Sequence, residues 1–182
     1  MSGGSAREVA DVEGLVFAGG SVMAALTDSG FGDVDIFLCC PRDEGAAALR
    51  CVYEAAQRLH KRRHGDDVHI LVTRSKYAVT VFSHPSTFPP VQVILSVYES
   101  VVALLTDFDV DCRACAFLPK EKRVVCMPRC LRALRCGANV ADSDFDGPGY
   151  HRRLLKYDCR GFAIAVPGFD VKRLSRNIVE GG

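Results

Sequence analysis

The chain has 182 residues, 48% of them hydrophobic and 25% charged, with a formal net charge of +1. This is the size and balance of one folded domain with a full core, and it excludes a disordered, fibrous or disulfide-scaffold chain as well as a globally polyanion-seeking one. No stretch is long and uncharged enough to span a bilayer, and the N-terminal Met-Ser-Gly-Gly-Ser-Ala-Arg-Glu lacks an apolar signal core, so the expectation is an intracellular protein with no membrane partner.

Residues 1–10 are small and polar and are expected to fray, leaving 11–182 as a single domain. Residues 15–18 form a short strand or the lead into a Gly-Gly-Ser turn. A short helix over 22–27 ends at Asp28, Ser29 and Gly30. Residues 33–40 are a strand, stopped by Pro41. The strongest helical pattern is 44–63, where Ala47, Ala48, Cys51, Val52, Ala55 and Leu59 recur at helical spacing. Basic residues crowd its last turn, and Gly65 is the expected stop. Strands follow over 67–73 and 77–82, then a Ser- and Pro-rich loop over 83–90, and a strand over 91–96. Residues 99–105 read as helix and 109–117 as a further strand, with 124–127 pairing as its hairpin partner. A helix over 130–136, a polar turn region over 142–148, a basic helix over 149–157 and a closing strand over 162–166 complete the chain. Helices alternating with strands, with no internal repeat, define a mixed α/β (α+β) domain: a mixed sheet flanked by helices.

The chemistry concentrates in Phe-Ala-Gly-Gly-Ser followed by Asp33-Val34-Asp35-Ile36-Phe37-Leu38. On a strand, Asp33 and Asp35 share one face while Val34 and Ile36 face the core. Two neighbouring carboxylates repel unless a cation or a shared proton intervenes. Oxygen ligands of this kind suit Mg²⁺ or Mn²⁺, which substrate phosphates also help to hold. The upstream turn offers close-approaching glycine backbone and the Ser21 hydroxyl, at the start of a helix whose N-terminus favours anions.

This pattern resembles the signature of the DNA polymerase beta-like nucleotidyltransferase superfamily: an apolar residue, Gly, Gly or Ser, and about a dozen residues later an apolar-flanked Asp-x-Asp. The resemblance implies the minimal nucleotidyltransferase fold, an NTP substrate, Mg²⁺ or Mn²⁺, and transfer of a nucleoside monophosphate to an acceptor hydroxyl. It implies Asp33 and Asp35 as catalytic and metal-binding residues. Gly20 and Ser21, or Gly19 and Gly20 in the other register, would hold phosphates. The superfamily's third carboxylate falls on Gln92 of Val91-Gln92-Val93-Ile94, an amide that ligates through its oxygen but brings no charge. Either Asp109 or Asp111 replaces the missing carboxylate, or the site is a catalytically inactive interaction module. The segments Asp107-Phe108-Asp109-Val110-Asp111-Cys112 and Arg152 to Phe169 also resemble nucleotidyltransferase-like domains of large DNA viruses, some attached to ankyrin repeats. The acceptor stays open among protein, nucleic acid and small molecule.

Arg152 and Lys156, with Arg160, are expected to share a helix face at i, i+4 spacing and to clamp phosphates; the competing reading is a solvated basic face. Leu154, Leu155 and Tyr157 are expected to pack inward. Nine cysteines without a secretory signal are expected to be reduced thiols. Cys112-x-x-Cys115 and Cys126-x-x-x-Cys130 invite zinc, but a strand over 109–117 would send Cys112 and Cys115 to opposite faces.

Overall fold

A computed structural model describes residues 14–64, 69–84, 89–145 and 147–169. The expectations for residues 1–10, for Gly65, and for much of the Ser/Pro loop lie outside those residues. Among the described residues the elements are β1 (Leu15–Ala18), α1 (Gly20–Leu26), β2 (Val34–Leu38), α2 (Gly45–His64), β3 (His69–Arg74), β4 (Ala78–His84), β5 (Val91–Val97), α3 (Val101–Thr106), a 3-10 turn (Asp111–Arg113), β6 (Cys115–Leu118), β7 (Arg123–Cys126), α4 (Pro128–Cys136), β8 (Ala138–Val140), α5 (Tyr150–Asp158) and β9 (Ala163–Ala165).

Seven strands form one mixed, mostly antiparallel sheet in the order β3-β4-β5-β2-β1-β6-β7, and β8 pairs with β9 in a small parallel ribbon. Within the large sheet only β2 and β5 run parallel, with Val34 opposite Val91, Asp35 opposite Gln92 and Ile36 opposite Val93. β1 reads Leu-Val-Phe-Ala and is buried along its whole length, as a central strand covered on both faces must be. The core gathers β1, Ile36 and Leu38 of β2, Met23 of α1, Val52 of α2, Leu104 of α3 and Tyr157 of α5. Each such fully buried side chain contributes about 1.5–3 kcal/mol of hydrophobic stabilisation. No helix of the described residues is long and apolar enough to cross a membrane.

Local chemistry sets the boundaries. Ser100 caps α3, its side-chain oxygen accepting the Ala103 N–H at 3.1 Å. Pro128 opens α4, where its missing N–H costs no helical bond. α2 turns Ala48, Val52 and Ala55 to the core at helical spacing.

The segment from Asp109 departs from expectation. No strand covers residues 109–114; the chain instead makes the 3-10 turn and enters β6 only at Cys115. The cause is Asp111. Its carboxylate is drawn to α4, with Arg132 Nη2 at 2.7 Å and Arg129 Nη1 at 3.6 Å, and it accepts the Val140 N–H at 2.9 Å. The Cys112 N–H bonds Asn139 Oδ1 at 2.9 Å, consuming a donor that a strand ladder would have used. β6 then pairs with β1 and β7, not with β2.

Candidate active site

β2 begins one residue after Asp33, so Asp33 and Asp35 lie at its entrance, both half-buried. Strand alternation holds: Asp33, Asp35 and Phe37 line a cavity of about 280 Å³, while Ile36 is 1% exposed in the core. Next door, Gln92 and Ile94 of β5 line the same cavity at the same two-residue period. The parallel register sets Gln92 opposite Asp35, and its Nε2 donates to Asp33 Oδ2 at 3.2 Å. The amide therefore neighbours both carboxylates.

The opposite wall is basic. Arg153, Lys156, Tyr157 and Arg160 of α5 and its C-terminal turn line the cavity, joined by Arg113 from the 3-10 turn. Tyr150, Leu154 and Tyr157 bury the helix at i, i+4 and i+7, which rotates Arg153 and Lys156 toward the cavity. The expected face was misplaced by one residue: Arg152 is exposed and does not line the cavity, and Leu155 is 58% exposed rather than inward. Arg153 stands where Arg152 was expected. Phe31, from the loop before β2, adds an aromatic edge.

Asp109 and Asp111 do not line the cavity. Asp109 lies in the turn before the 3-10 segment and accepts from Arg153, with Nε at 2.7 Å and Nη2 closer still. Asp111 is 6% exposed and committed to Arg132, Arg129 and Val140. The expectation of Asp109 as the third catalytic carboxylate fails for a physical reason: both candidates are consumed by arginines, and the strand that would have carried them beside β2 does not form.

The Gly-Gly-Ser turn divides its labour. Gly19 adopts φ 83° and its N–H donates to Cys115 O at 3.1 Å, tying α1 to β6. Only a glycine takes this conformation without strain. Gly20 lines the cavity, and a Cβ there would sit 2.9 Å from the Tyr157 hydroxyl. Ser21 Oγ is buried and has no hydrogen-bond partner. It does not line the cavity, so of the three residues only Gly20 faces it.

Burial pushes Asp35 up to about 6, with Asp33 adding to the rise and Arg113 and Lys156 opposing it. Arg113 Nη2 stands 4.0 Å from Asp35 Oδ2. The two carboxylates are oxygen donors; burial leads the rise of Asp35, and the smaller part that comes from Asp33 is what a divalent cation between them would offset. Among the described residues no group of three or more His, Cys, Asp or Glu is arranged to hold a metal. The oxygens of Asp33 and Asp35 are of the kind Mg²⁺ takes, an ion commonly held by one or two carboxylates plus phosphates.

The cysteines are closer together than strand alternation would allow. Cys115 faces Cys126 across the β6–β7 ladder, and the Cys112 carbonyl accepts from Cys130 Sγ at 3.4 Å. Burial pushes Cys112 up to about 12 and Cys126 up to about 11. Cys130 beside them is shifted the other way, downward, chiefly by its hydrogen bond with Cys115.

The mixed, mostly antiparallel sheet flanked by helices, with an acidic pair at the entrance of β2, is that of a nucleotidyltransferase fold. Solved structures agree. A Thermotoga maritima CCA-adding enzyme complexed with tRNA matches at TM-score 0.59 and 16% identity, over 92% of this chain and 38% of that one. A CCA-adding enzyme with CTP matches at 0.59 and 18%, over 87% and 37%. A tRNA nucleotidyltransferase complexed with a primer tRNA and an incoming ATP analog matches at 0.52 and 19%, over 83% and 43%. The chain thus spans about two-fifths of the length of these structures. No curated protein matches the sequence. Residues 3–136 match the Gabija anti-defense 2 (Gad2) family, and the chain belongs to that family.

Proposed function

We propose that this chain is a metal-dependent nucleotidyltransferase that takes an NTP and transfers its nucleoside monophosphate to an acceptor hydroxyl. The observation that carries this reading is the single cavity in which Asp33, Asp35 and Gln92 face Arg113, Lys156 and Arg160. A triphosphate needs both walls: oxygen ligands that share a divalent cation with it, and cations for its remaining charge. Asp33 and Asp35 would hold Mg²⁺ or Mn²⁺ together with phosphate oxygens, and Gln92 would add its amide oxygen once its Nε2 turns from Asp33. Bound there, the ion lowers the acceptor's pKa and stabilises charge on the entering and leaving oxygens. Gly20 lets the triphosphate approach the backbone, and Lys156 and Arg160 balance the phosphates. Phe31, Phe37, Ile94 and Tyr157 add apolar and aromatic surface to the cavity. In the transfer, the acceptor oxygen bonds to the α-phosphorus, the bond from that phosphorus to its bridging oxygen breaks, pyrophosphate leaves and the hydroxyl proton passes to solvent.

The family description supports placing this chemistry in the countering of a Gabija defense. The solved structures with tRNA, CTP and an ATP analog support NTP as the donor; the acceptor class is a protein, a nucleic acid or a small molecule.

A second reading, an inactive copy acting as an interaction module, is favoured by Gln92 bonding Asp33 where a third carboxylate is expected. One experiment separates them. An NTP labelled at the α-phosphate is incubated with Mg²⁺, a cell extract and either wild type or Asp33→Asn/Asp35→Asn. The wild type should label an acceptor at least about a hundredfold faster, the usual effect of removing charge stabilisation at a reacting phosphoryl group. Equal labelling would sink the enzyme. No labelling by wild type, restored by Gln92→Asp, would favour the inactive copy.

A further inference from the structure

Cys112, Cys115, Cys126 and Cys130 gather around the β6–β7 hairpin and the start of α4, and none of them lines the cavity. Cys112, Cys115 and Cys130 are fully buried, while Cys126 is partly exposed. A cysteine often packs as a small apolar side chain, so burial alone assigns no role. Three of these thiols also meet one another. Cys130 Sγ accepts hydrogen bonds from the thiols of Cys115 and Cys126 and itself donates to the Cys112 carbonyl at 3.4 Å. Cys115 stands directly opposite Cys126 in the β6–β7 register.

The backbone fixes which kind of opposite pair this is. The Cys115 carbonyl accepts the Gly19 N–H at 3.1 Å, so it turns toward β1 and away from β7. On the β7 side the preceding Ala114 carbonyl takes the Met127 N–H, at 2.9 Å. Cys115 and Cys126 are therefore a non-hydrogen-bonded pair of an antiparallel ladder, the kind whose Cα atoms lie about 4.5 Å apart and whose side chains come closest. That separation falls at the short end of the roughly 4.4–6.8 Å that a disulfide spans. Strand alternation sends both side chains to one face of the sheet, where Cys130 meets them. Cys130 is the poorer partner for either, because its backbone is held in the first turn of α4 and its own proton is turned to Cys112. Access is one-sided: Cys115 is closed off in the core, whereas Cys126 lies on the edge strand β7 and reaches solvent.

We propose that Cys115 and Cys126 are a redox modification site, which hydrogen peroxide converts to an intramolecular disulfide that staples β6 to β7. The Cys126 sulfur attacks one peroxide oxygen, the O–O bond breaks, and the other oxygen leaves as water with the Cys126 proton. Cys126 is then a sulfenic acid. The Cys115 sulfur attacks the Cys126 sulfur, the S–O bond breaks, the S–S bond forms, and a second water leaves with the Cys115 proton. The two thiols lose two electrons and two protons, and one peroxide becomes two waters. Burial holds Cys126 up to about 11, so the pair stays reduced until peroxide is abundant. Neither thiol lines the cavity, so the site is independent of the nucleotidyl transfer proposed above.

The test oxidises reduced protein with excess hydrogen peroxide, blocks the remaining thiols with N-ethylmaleimide and maps tryptic peptides without reduction. Trypsin cleaves after Arg113, Lys120, Arg123 and Arg129, which puts Cys115, Cys126 and Cys130 on separate peptides. Residues 114–120 should be found joined to residues 124–129, about two mass units below the sum of the free peptides because two thiol hydrogens are gone. Dithiothreitol should reverse the link, and Cys126→Ser, at a partly exposed position, should fold and lose it. The link should be at least about tenfold more abundant than after the same oxidation in urea, since only the fold holds the two sulfurs together. A link from Cys126 to Cys130, Cys126 oxidised without a link, or both peptides recovered as blocked thiols would each overturn the proposal. So would equal abundance of the link in folded and unfolded protein.

Discussion

Asp35 carries a charge that its surroundings oppose. Burial and Asp33 raise it to about 6 from an ordinary value of 3.8. Between those values the folded protein keeps a proton that the unfolded chain has lost, so stability falls as pH rises from below 3.8 to above 6, and the full cost is present at neutral pH. The shift corresponds to about 3 kcal/mol at most, with the opposing effects of Arg113 and Lys156 already included. In chelator-containing buffer, Asp35→Asn is predicted to be more stable than wild type by about 1–3 kcal/mol at pH 7.5, with the gap closing below pH 4. Urea unfolding across that range checks it; a gap that ignores pH would show that the gain comes from something other than this carboxylate. At this scale the acidic pair was legible, because spacing and strand alternation are local. Arg113 was not: its place in the cavity comes from Phe108, Tyr157 and Asp35, which only the tertiary fold brings to it. The basic wall was half legible. Lys156 lies on this wall as its spacing predicts, whereas burial of Tyr150, Leu154 and Tyr157 turns Arg153 rather than Arg152 to the cavity.

The elements most exposed to misreading were the ones held by buried charge. Val110, Cys112 and Ala114 are each fully buried at alternating positions, the same period-two signature that a strand gives. Asp111 breaks the strand by turning inward to Arg132 and Arg129, a long-range pairing with no local trace. β8 was missed because three residues after a helix-ending glycine carry too little periodicity to register. Asp109 illustrates the functional consequence. It holds Arg153 against the cavity and so ties α5 to the segment before β6. Asp109→Asn is therefore predicted to weaken the docking of α5, costing about 1–2 kcal/mol as a partly screened charge-assisted pair. It should leave nucleotide-dependent Mn²⁺ binding at Asp33 and Asp35 in place. Thermal unfolding and a metal titration on the same variant test this; loss of metal binding in a stably folded Asp109→Asn would restore Asp109 to the site.

For the whole molecule, element alternation and the Gly-Gly-Ser to Asp-x-Asp spacing were sufficient to reach the nucleotidyltransferase fold, which the solved structures share. Strand order was not legible, since the parallel β2–β5 pairing depends on contacts between residues more than fifty positions apart. That pairing makes the site, because it sets Gln92 beside both aspartates and opens β2 toward α5. Membership of the Gabija anti-defense 2 family adds a biological setting that no residue pattern conveys. The account's central claim is that Asp33 and Asp35 hold a divalent ion together with a nucleotide. Isothermal titration of Mn²⁺ into protein, with and without a non-hydrolysable NTP analogue, tests it most directly. The prediction is that nucleotide tightens Mn²⁺ binding in wild type and that Asp33→Asn/Asp35→Asn loses this effect entirely. Equal nucleotide-dependent binding in both proteins would contradict the claim.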